Sequence, residues 1–274
     1  MKKHDFAIIG GDKRISLMAQ ILLEKGYSVI SYHLADERFH PDHSVADSLK
    51  EAIAGAPVLL CGIPIAIHVP LPELQRLLRK NQRLFAGMIP ADFRQTCEDR
   101  QIFCHDFMTD ESFVMQNAVL TAEGALLEAL SHKNTCLYKK KVLITGYGRC
   151  GKILAHRAYG LMADITVCDR SEKELALASA FGFHTLTPGD LSHHLSEFEY
   201  IFHTAPERVF TKERLQALSP HCLLIDIASG KVGVDYEAAE KLGRDALYCP
   251  GLPGKYAPST CAEQMVSFVL AQLN

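Results

Sequence analysis

Residues 142–151 read VLITGYGRCG, a short apolar run that empties into G-x-G-x-x-G. Such a run specifies a strand that turns directly into a helix, as happens over a dinucleotide pyrophosphate in a βαβ unit. Gly146 permits the tight turn, Gly148 lets the backbone approach the phosphates, and Gly151 lets the helix pack close to its strand. The N–H groups and dipole of the helix then face the anion. Cys150 lies inside the same turn and is counted with it. Asp169 ends the next apolar run, 23 residues beyond Gly146. An acidic residue there can accept hydrogen bonds from a ribose diol. The alternative is a tight turn that holds no ligand.

The tetrapeptide CDRS (168–171) leaves the coenzyme open. Asp169 favours a ribose diol and repels a 2′-phosphate, whereas Arg170 and Ser171 suit that phosphate. Arg170 reads equally well as a solvated surface residue.

Short apolar runs recur on both sides of the turn. Before it stand FAIIGG (6–11), SVISYH (28–33), VLLCGI (58–63), LFAGMI (84–89) and IFCHDF (102–107); after it stand DITVCD (164–169), YIFHTAP (200–206), CLLIDIA (222–228) and ALYCP (246–250). Near-continuous apolar strands separated by helical patterns indicate parallel sheets covered on both faces. The fold class read from this is α/β: two Rossmann-like, doubly wound parallel-sheet domains with a cleft between them. The first domain is placed at residues 1–120 and the dinucleotide-binding domain at 121–257. One or two connecting helices are expected between Thr109 and His132. The segment 258–274, with Ser259 and Thr260 as caps, is expected to cross back to the first domain.

The chain has 274 residues, enough for two cores, and a net charge of only −3 with scattered Lys and Arg. That pattern argues against a nucleic-acid partner. Nine cysteines, an odd number without a C-x-x-C pair, suggest reduced cytosolic thiols. The apolar run near the start is too short for a signal-peptide core, so a cytoplasmic protein is expected. Ala54 to Pro72 is uncharged, but its four prolines and His68 would break a membrane helix. A buried strand at Val58–Cys61 followed by an irregular loop is expected instead. Among thirteen histidines, neither His193-His194 nor His40 and His43 offer three ligands with metal spacing, so no metal is expected. His203 follows an apolar run and reads as a satisfied core imidazole.

A second glycine turn, IIGGDKR (8–14), lacks the third glycine but carries Asp12 and Arg14. Arg14, beside the backbone N–H groups of Gly11 and its neighbours at a helix start, can hold a carboxylate. A helix cap by Asp12 with an exposed Arg14 is an equal alternative. Thr204-Ala205-Pro206, Ala228-Ser229-Gly230 and CPGLPGKYAP (249–258) each follow a strand, where ligands of doubly wound sheets sit.

Taken in order, GGDKR, TAEG (121–124), GYGRCG, HTAP, DIASGKVGVDYEAAEKLG (226–243) and PGLPGKYAP resemble the dipicolinate synthase A-subunit family of endospore-forming bacteria. The likeness runs from the first strand to the segment at 258–274. It implies an architecture like that of the D-2-hydroxyacid and alanine dehydrogenases. It also implies NAD(P)-linked oxidation of dihydrodipicolinate to dipicolinate in the mother cell of a sporulating bacterium, with the dipicolinate synthase B subunit as partner. A homo-oligomer is expected too. Carried over from the family, the coenzyme pocket comprises Gly146, Gly148, Arg149, Gly151, Arg170, Ser171, Thr204, Pro206, Ala228 and Ser229, to which Asp169, Cys150 and Ala205 add by position. The substrate side comprises Arg14, Thr121, Glu123, Gly124 and the Pro250–Gly254 loop (Gly251, Leu252, Pro253, Gly254), with Gly11 and Asp12 beside Arg14. NADP follows from the family, while Asp169, which stands where a small residue is expected before Arg-Ser, keeps NAD open.

A 2-hydroxyacid dehydrogenase must deprotonate an alcohol, usually through a His held by a carboxylate. The last third of the chain offers only His203 and His221. Oxidation of a dihydropyridine is driven by aromatisation and relies more on positioning. Hydride transfer to nicotinamide C4 over the Ser229 loop is therefore expected, with Glu123 as proton acceptor or orienting group. A D-2-hydroxyacid or amino-acid dehydrogenase, and a non-catalytic nucleotide-binding regulatory module, are the competing classes.

Overall fold

The structure is a computed structural model that describes residues 4–34, 43–67 and 69–273. His40 and His68, named above, lie outside the described residues. The chain divides into two compact units, Met1–Gln116 with Ala257–Asn274, and Asn117–Tyr256.

The first unit contains β1 (Phe6–Ile9), α1 (Lys13–Glu24), β2 (Val29–Tyr32), β3 (His43–Val45), α2 (Leu49–Gly55), β4 (Val58–Cys61), α3 (Leu71–Leu77), β5 (Arg83–Ala86), α4 (Ala91–Asp99) and β6 (Phe103–Asp106). Its six strands lie in the order β3-β2-β1-β4-β5-β6, and every pairing is parallel. β1 and β4 are buried at every position, which is why they read as unbroken apolar runs rather than alternating ones. β1 stops at Ile9 because Gly10 and Gly11 take φ of +59° and +105°. α1 buries Ile15, Met18, Ala19, Leu22 and Leu23, a stripe at helical spacing. The helix that packs on α1 comes from far along the sequence: α12 (Pro258–Leu273) buries Cys261, Ala262, Met265, Val266 and Val269. It begins at Pro258, so Ser259 and Thr260 lie in its first turn rather than capping it. Proline suits that position because its φ is already helical and a first-turn N–H has no partner to lose.

α5 (Glu111–Lys133) is one continuous helix where one or two were expected, and the boundary between the units falls within it. The second unit continues with β7 (Lys141–Thr145), α6 (Arg149–Gly160), β8 (Asp164–Cys168), α7 (Glu172–Ala180), β9 (His184–Leu186), α8 (Leu191–His194), β10 (Tyr200–His203), α9 (Lys212–Ala217), β11 (Leu223–Asp226), α10 (Tyr236–Lys241), β12 (Asp245–Tyr248) and α11 (Leu252–Tyr256). Its strand order is β12-β11-β10-β7-β8-β9, again entirely parallel. In both units the first strand starts at the centre, the next two build one side, and the remaining three build the other. That is the doubly wound Rossmann order. One core of the second unit packs α5 and α6 against the sheet through Ala122, Ala125, Leu154, Val142 and Phe202. The opposite core packs Leu143, Ile201 and Leu224 against Phe210, Leu215 and Ala239. No helix among the described residues is long and apolar enough to cross a membrane.

Candidate functional site

The strand order of the second unit reverses between β7 and β10, and the loops that follow these two strands meet there. Gly146 has φ +91°, and a Cβ on it would lie 2.7 Å from Thr204 Oγ1 and 3.1 Å from Ala205 N. The Thr204 hydroxyl donates toward the carbonyls of Gly146 (3.0 Å) and Thr145 (3.2 Å). A Cβ on Gly151 would lie 2.0 Å from the Gly146 carbonyl oxygen, so only glycine lets α6 start this close to β7. Gly148 differs: a Cβ there would meet nothing within 4 Å. The middle glycine therefore presents open backbone beside the first turn of α6, where Cys150 is half-buried and burial raises its thiol pKa. This is the cradle an anion needs, with an exposed backbone, a helix start and no side chain in the way. The residues present fit a dinucleotide pyrophosphate. Tyr147 supplies no contact there, since its ring is wholly buried in the core.

Asp169 follows β8 and accepts from the N–H of Tyr147 (2.7 Å) and of Ser171 (2.8 Å). Its carboxylate thus braces the glycine turn from the side where a ribose is expected. Ser171 caps α7 by accepting from Glu174 N. Arg170 is exposed and pairs with Glu207, beyond Pro206 in the β10 loop. Ala205 is half-buried, while Arg149, Pro206 and Ser229 are exposed at the ends of their strands.

Beneath these loops runs a buried polar row. Register pairs Thr145 with His203 and His203 with Asp226 across β7, β10 and β11. His203 and Asp226 are 0% exposed. His203 Nε2 lies 3.2 Å from the Glu207 carbonyl, an acceptor, so that nitrogen carries the proton. Nδ1 then accepts from the Thr145 hydroxyl at 2.7 Å. His203 is thus a satisfied core imidazole, and a Cβ on Gly233 would come within 2.2 Å of its ring. Asp226 accepts from Ala228 N at 3.0 Å and from the Tyr236 hydroxyl at 2.7 Å. These two bonds hold the Ala228-Ser229 turn at the end of β11.

Burial lowers the pKa of His203, opposed by the neighbouring Asp226 carboxylate. Below about pH 6.5 the unfolded chain takes up a proton that the native imidazole refuses, so native stability falls as pH drops toward the lowered native value. The slope is at most about 1.4 kcal/mol per pH unit for one group. Denaturant titrations of the His203→Gln variant from pH 5 to 7.5 are expected to show a shallower decline than the parent. A residual slope will remain from His105 in the first unit, whose pKa burial also lowers.

Several residues assigned to the substrate side have other occupations. Leu252 is 1% exposed and belongs to the core, and Pro253 beside it is buried. The segment expected as a Pro250–Gly254 loop is a turn through Gly251, at φ +66°, followed by α11. Gly124 lies on α5 where a Cβ would stand 2.9 Å from Leu252 Cβ, so helix packing accounts for this glycine. Thr121 donates its hydroxyl to the Asn117 carbonyl within α5. Glu123 is exposed and pairs with Arg157 at 3.3 Å. Arg157 lies on α6 roughly 12 Å, eight residues at 1.5 Å each, from its first residue. Glu123 thus lies on α5 beside Arg157 of α6, away from the glycine turn.

In the first unit Asp12 caps α1 by accepting from Arg14 N, but Arg14 is buried, not exposed. Its Nε and terminal nitrogen reach both Asp12 carboxylate oxygens at 2.7–3.0 Å, and the terminal nitrogen also donates to the Ile63 carbonyl at 2.7 Å. Asp12, Arg14 and Ile63 thus tie the loop after β1 to the loop after β4. Gly11 is needed there because a Cβ would meet Ile15 at 2.4 Å. Among the described residues no cluster of His, Cys, Asp or Glu has the arrangement of a metal site.

Residues 5–108 match the N-terminal domain of the dipicolinate synthase A subunit. Residues 114–247 match the D-isomer specific 2-hydroxyacid dehydrogenase, NAD binding domain. The chain is 31% identical over 163 residues to the dipicolinate synthase A subunit of Bacillus subtilis, a match spanning 60% of this chain and 54% of that relative. In fold it resembles the crystal structure of the dipicolinate synthase A subunit from Bacillus halodurans, with a TM-score of 0.86, 22% identity and coverage of 99% of this chain and 98% of that one. The crystal structure of the Bacillus subtilis counterpart follows at TM-score 0.83 and 20% identity, with 100% and 96% covered. The glycine turn, the Asp169 brace and the β10 and β11 loops therefore lie in a nicotinamide-dinucleotide domain of dehydrogenase type. The chain thus joins the N-terminal domain of the dipicolinate synthase A subunit, in its first unit, to an NAD-binding dehydrogenase domain in its second.

Proposed function

We propose that the protein oxidises dihydrodipicolinate to dipicolinate with a pyridine nucleotide, acting with the B subunit of a dipicolinate synthase in the mother cell of a sporulating bacterium. The observation that carries the reading is the open backbone at Gly148, flanked by the tightly packed Gly146 and Gly151, within a chain that joins these two domains. Gly146, Gly148, Arg149 and Gly151 would hold the pyrophosphate. Asp169, Arg170 and Ser171 would face the adenosine ribose, and Thr204, Ala205, Pro206, Ala228 and Ser229 the nicotinamide end. Bound there, the coenzyme supplies a hydride acceptor at nicotinamide C4.

The balanced reaction is dihydrodipicolinate plus NAD(P)⁺ giving dipicolinate, NAD(P)H and a proton. One ring C–H bond yields the hydride and a ring proton leaves to water, so the ring becomes aromatic. Positioning is the task left to the protein. The buried Asp226 and His203 row supports this by fixing the Ser229 turn from below. On the ribose side, Asp169 already accepts two backbone N–H bonds, and Glu172 and Glu174 occupy the first turn of α7. Glu174 is paired with Lys152 and Arg170 with Glu207, so the carboxylate that bears on the ribose is Asp169, which disfavours a 2′-phosphate. NADP remains the family expectation, whereas Asp169 supports NAD.

Absorbance of dipicolinate and of reduced coenzyme, after mixing the purified protein with freshly generated dihydrodipicolinate and NAD⁺ or NADP⁺, with and without the B subunit, tests the reading. Matched formation of both products is expected. Intact coenzyme binding without any product would sink it and turn attention to 2-oxoacid substrates.

A further inference from the structure

The turn that follows Ser229 contains a cation that the coenzyme assignment does not use. Gly230 and Lys231 take consecutive positive φ values, +92° and +42°. For glycine that conformation is free, but for lysine it is strained. The ammonium of Lys231 is held over two rings, 5.0 Å from the centroid of Tyr236 and 5.9 Å from that of Tyr248. These rings meet edge to face at 6.2 Å, and the Tyr236 hydroxyl is anchored to buried Asp226. An exposed lysine normally roams; this one has a strained backbone below it and two fixed aromatic faces beside it.

Its neighbours sharpen the point. Arg170 pairs with Glu207, Arg208 with Asp235 at 2.7 Å, and Lys255 with Glu128. Among the described residues no carboxylate pairs with Lys231. It stands at the carboxyl ends of β11 and β12, on the opposite side of β7 from Asp169. A dinucleotide laid from Asp169 across the glycine turn ends its run, at the reacting ring, on this side.

We propose that Lys231 binds a carboxylate of the dianionic substrate and so helps to select a dicarboxylate. The proposal rests on the oxidation reading above and adds a residue and a charge to it. A cation placed over aromatic faces remains partly desolvated but keeps donors free, so it can accept an anionic oxygen with little further ordering.

Steady-state kinetics of Lys231→Gln and Lys231→Arg, with saturating coenzyme and with the B subunit present, test it. The expected result is a KM for dihydrodipicolinate raised about 10-fold or more in Lys231→Gln with kcat changed less than about 3-fold, the pattern of a lost ground-state contact. Product inhibition by dipicolinate should weaken in parallel. Lys231→Arg should recover most of the KM, and added salt should raise KM more steeply in the parent than in Lys231→Gln. The coenzyme Kd should be the same in all three. An unchanged KM in Lys231→Gln, or a changed coenzyme Kd, overturns the proposal while parental turnover leaves the oxidation reading standing. Absence of parental turnover with either coenzyme removes the reading and the proposal together.

Discussion

Gly151→Ala is expected to lose coenzyme binding by at least about 100-fold and to lower the stability of the second unit by roughly 3 kcal/mol, the upper range for forced overpacking. The added methyl would sit 2.0 Å from the Gly146 carbonyl oxygen, closer than any contact permits. Backbone, not a flexible side chain, stands in its way, so α6 must back off from β7. The N–H groups of its first turn then leave the place where they would meet an anion. Gly148→Ala provides the contrast. Its backbone has φ −76° and its Cβ would meet nothing within 4 Å, so the protein should fold with an unchanged Tm. A methyl there still fills the approach to the phosphates, and coenzyme affinity should fall. Thermal melts paired with coenzyme titrations by nicotinamide or protein fluorescence check both variants. Normal coenzyme affinity in Gly148→Ala would mean that the pyrophosphate lies elsewhere.

Asp226→Ala carries the second large effect. It strands the Ala228 N–H and the Tyr236 hydroxyl in a site that is 0% exposed at Asp226 itself. A buried N–H and a part-buried hydroxyl losing their shared acceptor cost about 2–4 kcal/mol. For a unit of this size that is roughly a 5–15 °C drop in Tm. Activity should fall further than stability alone predicts, because the Ser229 turn and the ring beneath Lys231 are both tethered to this carboxyl group. Asp226→Asn separates hydrogen bonding from charge. Its amide oxygen can still accept from Ala228 N–H, and its amide nitrogen can donate to the Tyr236 oxygen, so most of the Tm should return. If Asp226→Asn were as unstable as Asp226→Ala in calorimetry, the bonds would not be what holds the turn.

The two parallel sheets were legible because their central strands are buried on both faces and leave unbroken apolar runs, as in FAII and VLLC. β3 and β9 were not. Each is an outer strand of three residues, HSV and HTL, with partly exposed positions and nothing apolar enough to register. α11 was hidden by composition: Leu-Pro-Gly-Lys-Tyr has two residues that oppose helices, yet Pro253 falls in the first turn, where a missing N–H costs nothing. At the site, the glycines were readable from spacing since each is demanded by local sterics. The partners of Asp169 and Asp226 were not, since a carboxylate bonded to the loop after a neighbouring strand, or to groups two and ten residues further on, leaves no pattern in the residues. The Gly- and Pro-rich stretch at 250–254 looks like an open loop, and part of it is a helix whose Leu252 packs on Gly124 of α5, a contact that no spacing announces. Lys231 had one signal in the sequence, a lysine directly after Ser-Gly, and only the backbone angle and the two rings give it meaning.

The pairing of α12 with α1 has a consequence for how the chain is made. During translation α1 emerges early, but the helix that covers its apolar stripe follows only after 233 intervening residues, 25–257, most of them in the second unit. At elongation rates of about 5–20 residues per second, that interval is about 12–47 s. The nucleotide-binding unit, complete within a single uninterrupted stretch, can finish folding on the ribosome first. The unit encoded first matures last, and through that interval Ile15, Met18 and Leu22 form a surface on which a nascent-chain chaperone can act.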